Sequence, residues 1–425
     1  MSHPIELISN AVDLLRDELI GFCQSFVQIP SLPGEEQKAQ MFVASKLREL
    51  NLEVDVVRSV FDELKDHPAF CDDGISFDER INVFGRWHGN GEGRGGRSLI
   101  LNGHCDVVPV GKLELWDDSP WSGSIKDGKL YGRGSCDMKS GLAAGIFAVK
   151  ALQNLGFSPL RDVLIESVIG EESGGVGTLT SIVKGYRADA AIIMEPTRLV
   201  MCPVQAGALT FRLKVPGQAI HASMKRSGVS AIEKFYSILA AANELERRRH
   251  ESYHNPLYPD PLGVAPICFG TVHGGEWHST VPNEVIVEGR YGVLPGESVE
   301  TARKVFAETI QSVAANDPWL RENQPVLEWF EGQFESGETD VSDPIVGLLS
   351  SSHEDVVGKA PGFQGVPYGS DLRLFTNHGK IPAILYGPGD VAHAHSVNEF
   401  VPLDEVIACA KVLALTIYRT CGGGL

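Results

Sequence analysis

The sequence has no Cys-x-x-Cys pair; its eight cysteines (23, 71, 105, 136, 202, 268, 409 and 421) are scattered along 425 residues. That spacing argues against a thiolate zinc site or a disulfide framework and suits reduced thiols. No stretch approaches the roughly 18 apolar residues of a membrane span. Met1 to Asn10 lacks the basic-then-apolar plan of a signal peptide, and the expected location is the cytoplasm. Basic charge is also short. With 37 Lys and Arg against 55 Asp and Glu, the net charge of −18 leaves no electrostatic footprint for nucleic acid or an anionic membrane. Any metal here has to be held by histidine and carboxylate.

What is present is an ordinary globular composition, 43% hydrophobic and 22% charged, on a chain long enough for two or three domains. Leu99 to Pro109 is an apolar run with His104 and Asp106 in its middle. Side chains alternate along a strand, so these two share a face while Cys105 takes the other. A carboxylate that accepts one ring N–H of a histidine frees the other nitrogen for a metal, which makes His104 a candidate ligand and Asp106 its orienting partner. A satisfied core histidine beside a turn-forming Asp is the alternative reading of these eleven residues.

Elsewhere the pattern alternates strands with helices from residue 52 to 200. Helical spacing covers Ile5 to Val27, Glu35 to Leu50 and Leu142 to Leu155. Strand-like runs cover Leu52 to Val57, Ile81 to Trp87, Asp162 to Ile169 and Ala190 to Met194. Asp162 to Ile169 runs into Glu171-Glu172, and Ala190 to Met194 ends at Glu195. Asp137 stands just before a helix, where an N-cap is the common role. Ligands in open α/β sheets bind outside the carboxyl ends of strands, so His104, Asp137, Glu171, Glu172 and Glu195 can converge on one crevice. Gly91, Gly93 and Gly96 satisfy Gly-x-Gly-x-x-Gly, but a strand, not a helix, is expected next, which argues against dinucleotide binding.

The texture changes after Gly207. Alternating strands at Ala208 to Val215, Ile267 to His273 and Glu284 to Leu294, with helices at Ala231 to Arg249 and Ser298 to Ala315, predict an inserted α+β module over 208–330. The remainder, 1–207 and 331–425, forms one discontinuous α/β domain: an open mixed sheet flanked by helices. Pro344 to Val357 is helical, Ile381 to Tyr386 is a buried strand, and His395 follows before a closing helix from Asp404 to Arg419.

The order of motifs resembles the M20 family of metallopeptidases and amidohydrolases, in the branch of acetylornithine deacetylase and succinyl-diaminopimelate desuccinylase. The matching pieces are Gly103-His104-Cys105-Asp106-Val107-Val108-Pro109, Tyr131-Gly132-Arg133-Gly134 with Asp137-Met138-Lys139, Glu171-Glu172, Met194-Glu195-Pro196-Thr197, and His395 with Asn398-Glu399. The resemblance implies two Zn²⁺, for which Co²⁺ or Mn²⁺ can substitute. His104, Asp137 and Glu195 would hold one ion, and Asp137, Glu172 and His395 the other, which suits imidazole and carboxylate donors. Glu171 would be the general base for the attacking water. In the inserted module, identified by the resemblance as a lid and dimerisation domain, His221 would polarise the oxyanion. The family's carboxylate-binding arginine falls at Gly292 when the chain is aligned on Leu294-Pro295-Gly296. Arg290, one strand repeat earlier, is a candidate substitute. Asn283 and Arg373 are further substrate-binding candidates.

The implied activity is hydrolysis of an N-acyl amino acid or related small amide by a homodimeric enzyme. Dipeptidase and N-carbamoyl amidohydrolase activities are alternatives within the family. A binding protein that keeps the fold without catalysis is the alternative from another class.

Overall fold

A computed structural model of the chain describes residues 4–91, 95–260 and 263–424. It divides into two compact units. The first comprises Met1–Pro203, Glu338–Gln364 and Ser370–Leu425, and the second Val204–Gly337 with Gly365–Gly369.

The first unit is built on a large mixed sheet. From one edge its strands run Glu53–Arg58, Ile81–Trp87, Val163–Val168, Leu99–His104, Ala190–Ile193, Ala383–Leu385 and Met201–Gln205. Leu99–His104 lies parallel to both neighbours, and Ala383–Leu385 is parallel to Ala190–Ile193. Four adjacent parallel strands therefore end at one edge of the sheet. The strands at Leu99–His104, Val163–Val168 and Ala190–Ile193 are buried along their whole length, which explains why they read as near-continuous apolar runs rather than alternating ones.

Ser140–Asn154 and Leu403–Cys421 contribute the most buried residues among the described helices of this unit. Ser140–Asn154 packs close because it carries Gly141 and Gly145 toward Met194. A Cβ on Gly141 would strike the Met194 carbonyl oxygen, and one on Gly145 the Met194 sulfur. The start of this helix and the end of the Ala190–Ile193 strand are thereby held together, and each carries a carboxylate: Asp137 just before the helix, Glu195 just after the strand.

The second unit is a four-stranded antiparallel sheet in the order Ile267–Gly274, Glu284–Val293, Gly207–Pro216, Val326–Phe334. Burial alternates along its central strands, giving one inward face. Helices Ala231–Ser252 and Val299–Asn316 share a core with that face, where Phe211, Ile238, Tyr291 and Phe306 meet. The unit is longer than 208–330 because Val326–Phe334 is a full strand of this sheet. Its edge position left it only partly buried, so its pattern is weak.

Of the glycine pattern, Gly93 lies outside the described residues. The strand Leu99–His104 follows Gly96 with no intervening helix, so the arrangement for a pyrophosphate is missing.

Candidate metal centre

Register explains how the site assembles. His104 pairs with Val168, and Asn102 pairs with Ile193. Two residues beyond Ile193, Glu195 comes level with His104, and three beyond Val168 the chain reaches Glu171. Gly170, at φ 65°, turns the main chain out of the strand there.

His104 is 1% exposed, and its Nε2 lies 3.1 Å from Asp137 Oδ1, 3.9 Å from Glu195 Oε1 and 4.0 Å from Glu171 Oε2. On the other side of Asp137, His395 Nε2 is 3.4 Å from Oδ2 and 2.9 Å from Glu172 Oε2. The two oxygens of Asp137 thus face one imidazole each. Two sets of three donors have their ligand atoms within 4.8 Å of one another: His104, Glu171 and Glu195, and His104, Asp137 and Glu172.

The electrostatics are those of crowded acids. Burial and Glu195 push the Glu171 carboxyl well above the usual range, and burial with Asp137 does the same to Glu195. Burial and Asp137 raise Glu172 to about 7. Asp137 is the exception: burial opposes its ionisation, but hydrogen bonds from His104 and His395 pull it below its ordinary value. His395 rises to about 10 through hydrogen bonds to Asp137 and Glu172. Burial works against protonating His104, yet Asp106, Asp137 and Glu195 raise it well above its ordinary value. Two imidazoles are too little positive charge for these carboxylates. Glu195 Oε1 and Asp106 Oδ1 are buried with no hydrogen-bond donor. Cations held by nitrogen and oxygen donors fit this set, and the site lacks the thiolates of a soft-metal site. The nearby thiols of Cys105 and Cys136 are buried and pushed up by that burial.

Two expectations are modified. His104 Nδ1 is bonded to the Asp106 main-chain carbonyl at 2.8 Å, while the Asp106 carboxylate stands 3.6 Å away. That carboxylate instead accepts the Glu172 main-chain N–H at 3.2 Å. The strand stops at His104, so the chain bends and presents its carbonyl to the ring. Asp137 is not a helix N-cap, because the helix begins at Ser140 with Lys139 in the cap position and no side-chain capping bond.

Other placements differ in kind. Arg373 is fully buried in the first unit and donates to the Gly174 carbonyl at 2.8 Å, bracing the loop that carries Glu171 and Glu172. His221, Asn283 and Arg290 belong to the second unit. His221 is exposed at a turn, and its Nδ1 accepts the Ser223 N–H at 3.2 Å, which leaves Nε2 as the donor nitrogen. Arg290 donates to the Pro367 carbonyl at 3.2 Å. Asn283 is exposed, and its carbonyl accepts the Gly217 N–H at 2.6 Å.

Sequence reasoning overlooked Arg133 and Glu399. Glu399 is completely buried. It accepts N–H from Cys136 at 2.9 Å and Asp137 at 3.2 Å, and it pairs with Arg133 at 2.5 Å. The His395 loop and the Asp137 turn are tied together through this one carboxylate. Both residues sat inside quoted motifs, and a charged pair in such apolar surroundings was the available signal.

A crevice at the carboxyl ends of parallel strands, lined by imidazoles and an excess of buried carboxylates, is the constitution of a metal-dependent hydrolase. Residues 100–419 match peptidase family M20/M25/M40, and the chain belongs to that family. It is 29% identical over 99% of both chains to the N-formyl-4-amino-5-aminomethyl-2-methylpyrimidine deformylase of Bacillus subtilis (strain 168). To the acetylornithine deacetylase of Myxococcus xanthus it is 28% identical, over 81% of this chain and 85% of the relative. Its fold is similar to that of human carnosine dipeptidase 1, with a TM-score of 0.74 at 17% identity over 99% of both chains. The chain is an amidohydrolase of this family.

Proposed function

We propose that this enzyme removes a small acyl group, formyl or acetyl, from the nitrogen of a small amine, releasing a carboxylate and the free amine. The observation that carries the reading is the division of Asp137 between two imidazoles, with Glu171 4.0 Å from His104 Nε2. His104, Asp137 and Glu195 would hold one Zn²⁺, and Asp137, Glu172 and His395 a second, with Co²⁺ or Mn²⁺ able to replace it. Bound there, the ions supply Lewis-acid charge that acidifies water and polarises the amide carbonyl.

In this reading Glu171, although within reach of the His104 and Glu195 donors, holds neither ion and acts as the general base. Its carboxylate takes a proton from the attacking water and returns it to the departing nitrogen. His221, with Nε2 left as the donor, stabilises the oxyanion. Asp106 and Glu399 act as orienting groups through the main-chain N–H groups they accept.

The substrate class follows from what the second unit offers. Gly292 packs against the Ala265 main chain and has no room for a side chain. Arg290 gives one N–H to the Pro367 carbonyl, and its buried Nε has no hydrogen-bond partner. Gly292 offers no side chain for a carboxylate clamp, which leaves Arg290 as the candidate, and the formylated aminomethylpyrimidine in the name of the Bacillus subtilis relative illustrates a substrate that needs no clamp. The eight cysteines, seven of them buried and none in a Cys-x-x-Cys pair, fit a reducing cytoplasm. Association as a homodimer through the second unit belongs to the same reading.

The test is a panel of N-formyl, N-acetyl, N-succinyl, N-carbamoyl and dipeptide substrates, given to metal-reconstituted protein beside Glu171→Gln. Formyl or acetyl amides should turn over best, and the variant should lose about 10²–10⁴-fold with its metal content intact. Near-normal turnover by Glu171→Gln at full metal loading contradicts the assignment of the base, and preference for dipeptides contradicts the substrate class.

A further inference from the structure

The strands Ile267–Gly274 and Glu284–Val293 are joined by a loop containing Gly275-Glu276-Trp277-His278-Ser279-Thr280. The end of this loop, Ser279 to Val281, is bound to the turn that carries His221. Ala222 N–H donates to Ser279 O at 2.9 Å, Val281 N–H donates to Ile220 O at 2.9 Å, and His221 and Thr280 form a β-bridge. Trp277 lies three residues before Thr280, so their Cα atoms are at most about 11 Å apart. A further bond, Thr280 N–H to Trp277 O at 3.1 Å, curls the intervening chain.

Trp277 is 64% exposed, the one tryptophan among the exposed large apolar side chains of the described residues. Trp319 and Trp329, by contrast, pack on the core of the same unit. Turn formation does not require an indole, since the flanking Gly, Ser and Thr suffice for that. Its ring neighbour is His278, with centroids 4.4 Å apart and planes tilted by 32°. His278 Nδ1 is in turn 2.8 Å from Ser279 Oγ, which fixes the imidazole. The pair forms an aromatic surface on the loop whose Ser279–Val281 end is bonded to the His221 turn. Such a surface is suited to an aromatic ring, through offset or edge contact.

We propose that Trp277 is the specificity-determining platform for the ring of an N-acyl amine whose amine part is aromatic or heteroaromatic. The inference rests on the reading that His221 serves the reacting carbonyl. Where His221 serves the reacting carbonyl, an indole whose Cα lies within about 11 Å of Thr280, the bridge partner of His221, is placed for the part of the amine beyond the scissile bond. The pyrimidine in the name of the Bacillus subtilis relative is a ring of the required kind.

Trp277→Ala and Trp277→Phe decide it on the metal-loaded full chain, with N-formylbenzylamine and an N-formyl aminomethylpyrimidine compared with N-formylbutylamine. Trp277→Ala should raise KM about three- to tenfold for the ring compounds, with kcat nearly unchanged and the butyl compound unaffected. Trp277→Phe should restore most of the loss. Equilibrium dialysis of the free aminomethylpyrimidine gives a second readout that needs no turnover, and Trp277→Ala should weaken that binding by the same factor. If no compound is hydrolysed, the proposed function fails while dialysis still decides the role of Trp277. Equal effects on ring and butyl compounds, or unchanged dialysis, overturn the proposal. A change in oligomeric state on sizing does so as well, by assigning the indole to a subunit contact.

Discussion

Asp106 illustrates what a single residue's position can and cannot convey. Strand alternation places it on the His104 face, and the structure keeps it there, fully buried. Which of its groups meets the imidazole depends on where the strand ends, and one-dimensional periodicity does not resolve that. The carbonyl takes Nδ1, and the carboxylate supports the Glu172 main chain. Asp106 thus braces a donor of each proposed ion, His104 and Glu172. Asp106→Ala should weaken metal affinity by about 10–100-fold, measured by chelator competition, since outer partners of ligands typically act at that scale. An unchanged affinity would reduce Asp106 to a packing residue. Trp277 was silent in the sequence: exposure is a three-dimensional fact, and the residue type does not announce it.

At the level of elements, the legible parts were those with strong periodicity. Ile81–Trp87 and Pro344–Val357 have the limits the sequence predicts, and most others shift by one to three residues. The missed elements have weak signals for physical reasons. Val176–Lys184 begins directly after Gly174-Gly175 and includes two threonines, so its helical pattern is short and poor. Met201–Gln205 contains Pro203, which demotes it as a strand. Within the second unit, the two helices are fastened by Asp317. Its carboxylate accepts N–H from Trp319 at 2.9 Å and Leu320 at 3.0 Å and pairs with Lys234 at 2.6 Å. Burial opposes its ionisation, but Lys234 and these N–H groups prevail and hold its carboxyl below the ordinary value. A depressed carboxyl stabilises the fold above the unfolded value near pH 4, and that stabilisation is lost as pH falls through the folded value. Asp317→Asn should lower the unfolding midpoint at pH 7, with the gap to the parent protein closing below about pH 4. A gap that persists undiminished in acid would show that the ionised form is not what matters.

For the molecule as a whole, the five donor positions come from segments as far apart as residues 104 and 395, and the parallel sheet, the close packing of the Ser140–Asn154 helix on Met194 and the Glu399 tie bring them together. The family pattern made that convergence legible before any coordinates, whereas the charge imbalance at the site was not, because burial decides it. An excess of 18 negative charges over the chain is unremarkable on a surface. Five carboxylates, those of Asp106, Asp137, Glu171, Glu172 and Glu195, gathered around two imidazoles are a donor set suited to cations. The most direct test is to strip the protein with chelator, titrate Zn²⁺ back by calorimetry, and follow hydrolysis of an N-formyl amine at each step. The account predicts about two equivalents of Zn²⁺ per chain, no hydrolysis by the stripped protein, and recovery of activity with metal. Undiminished hydrolysis by stripped protein, or less than one equivalent bound, would contradict it.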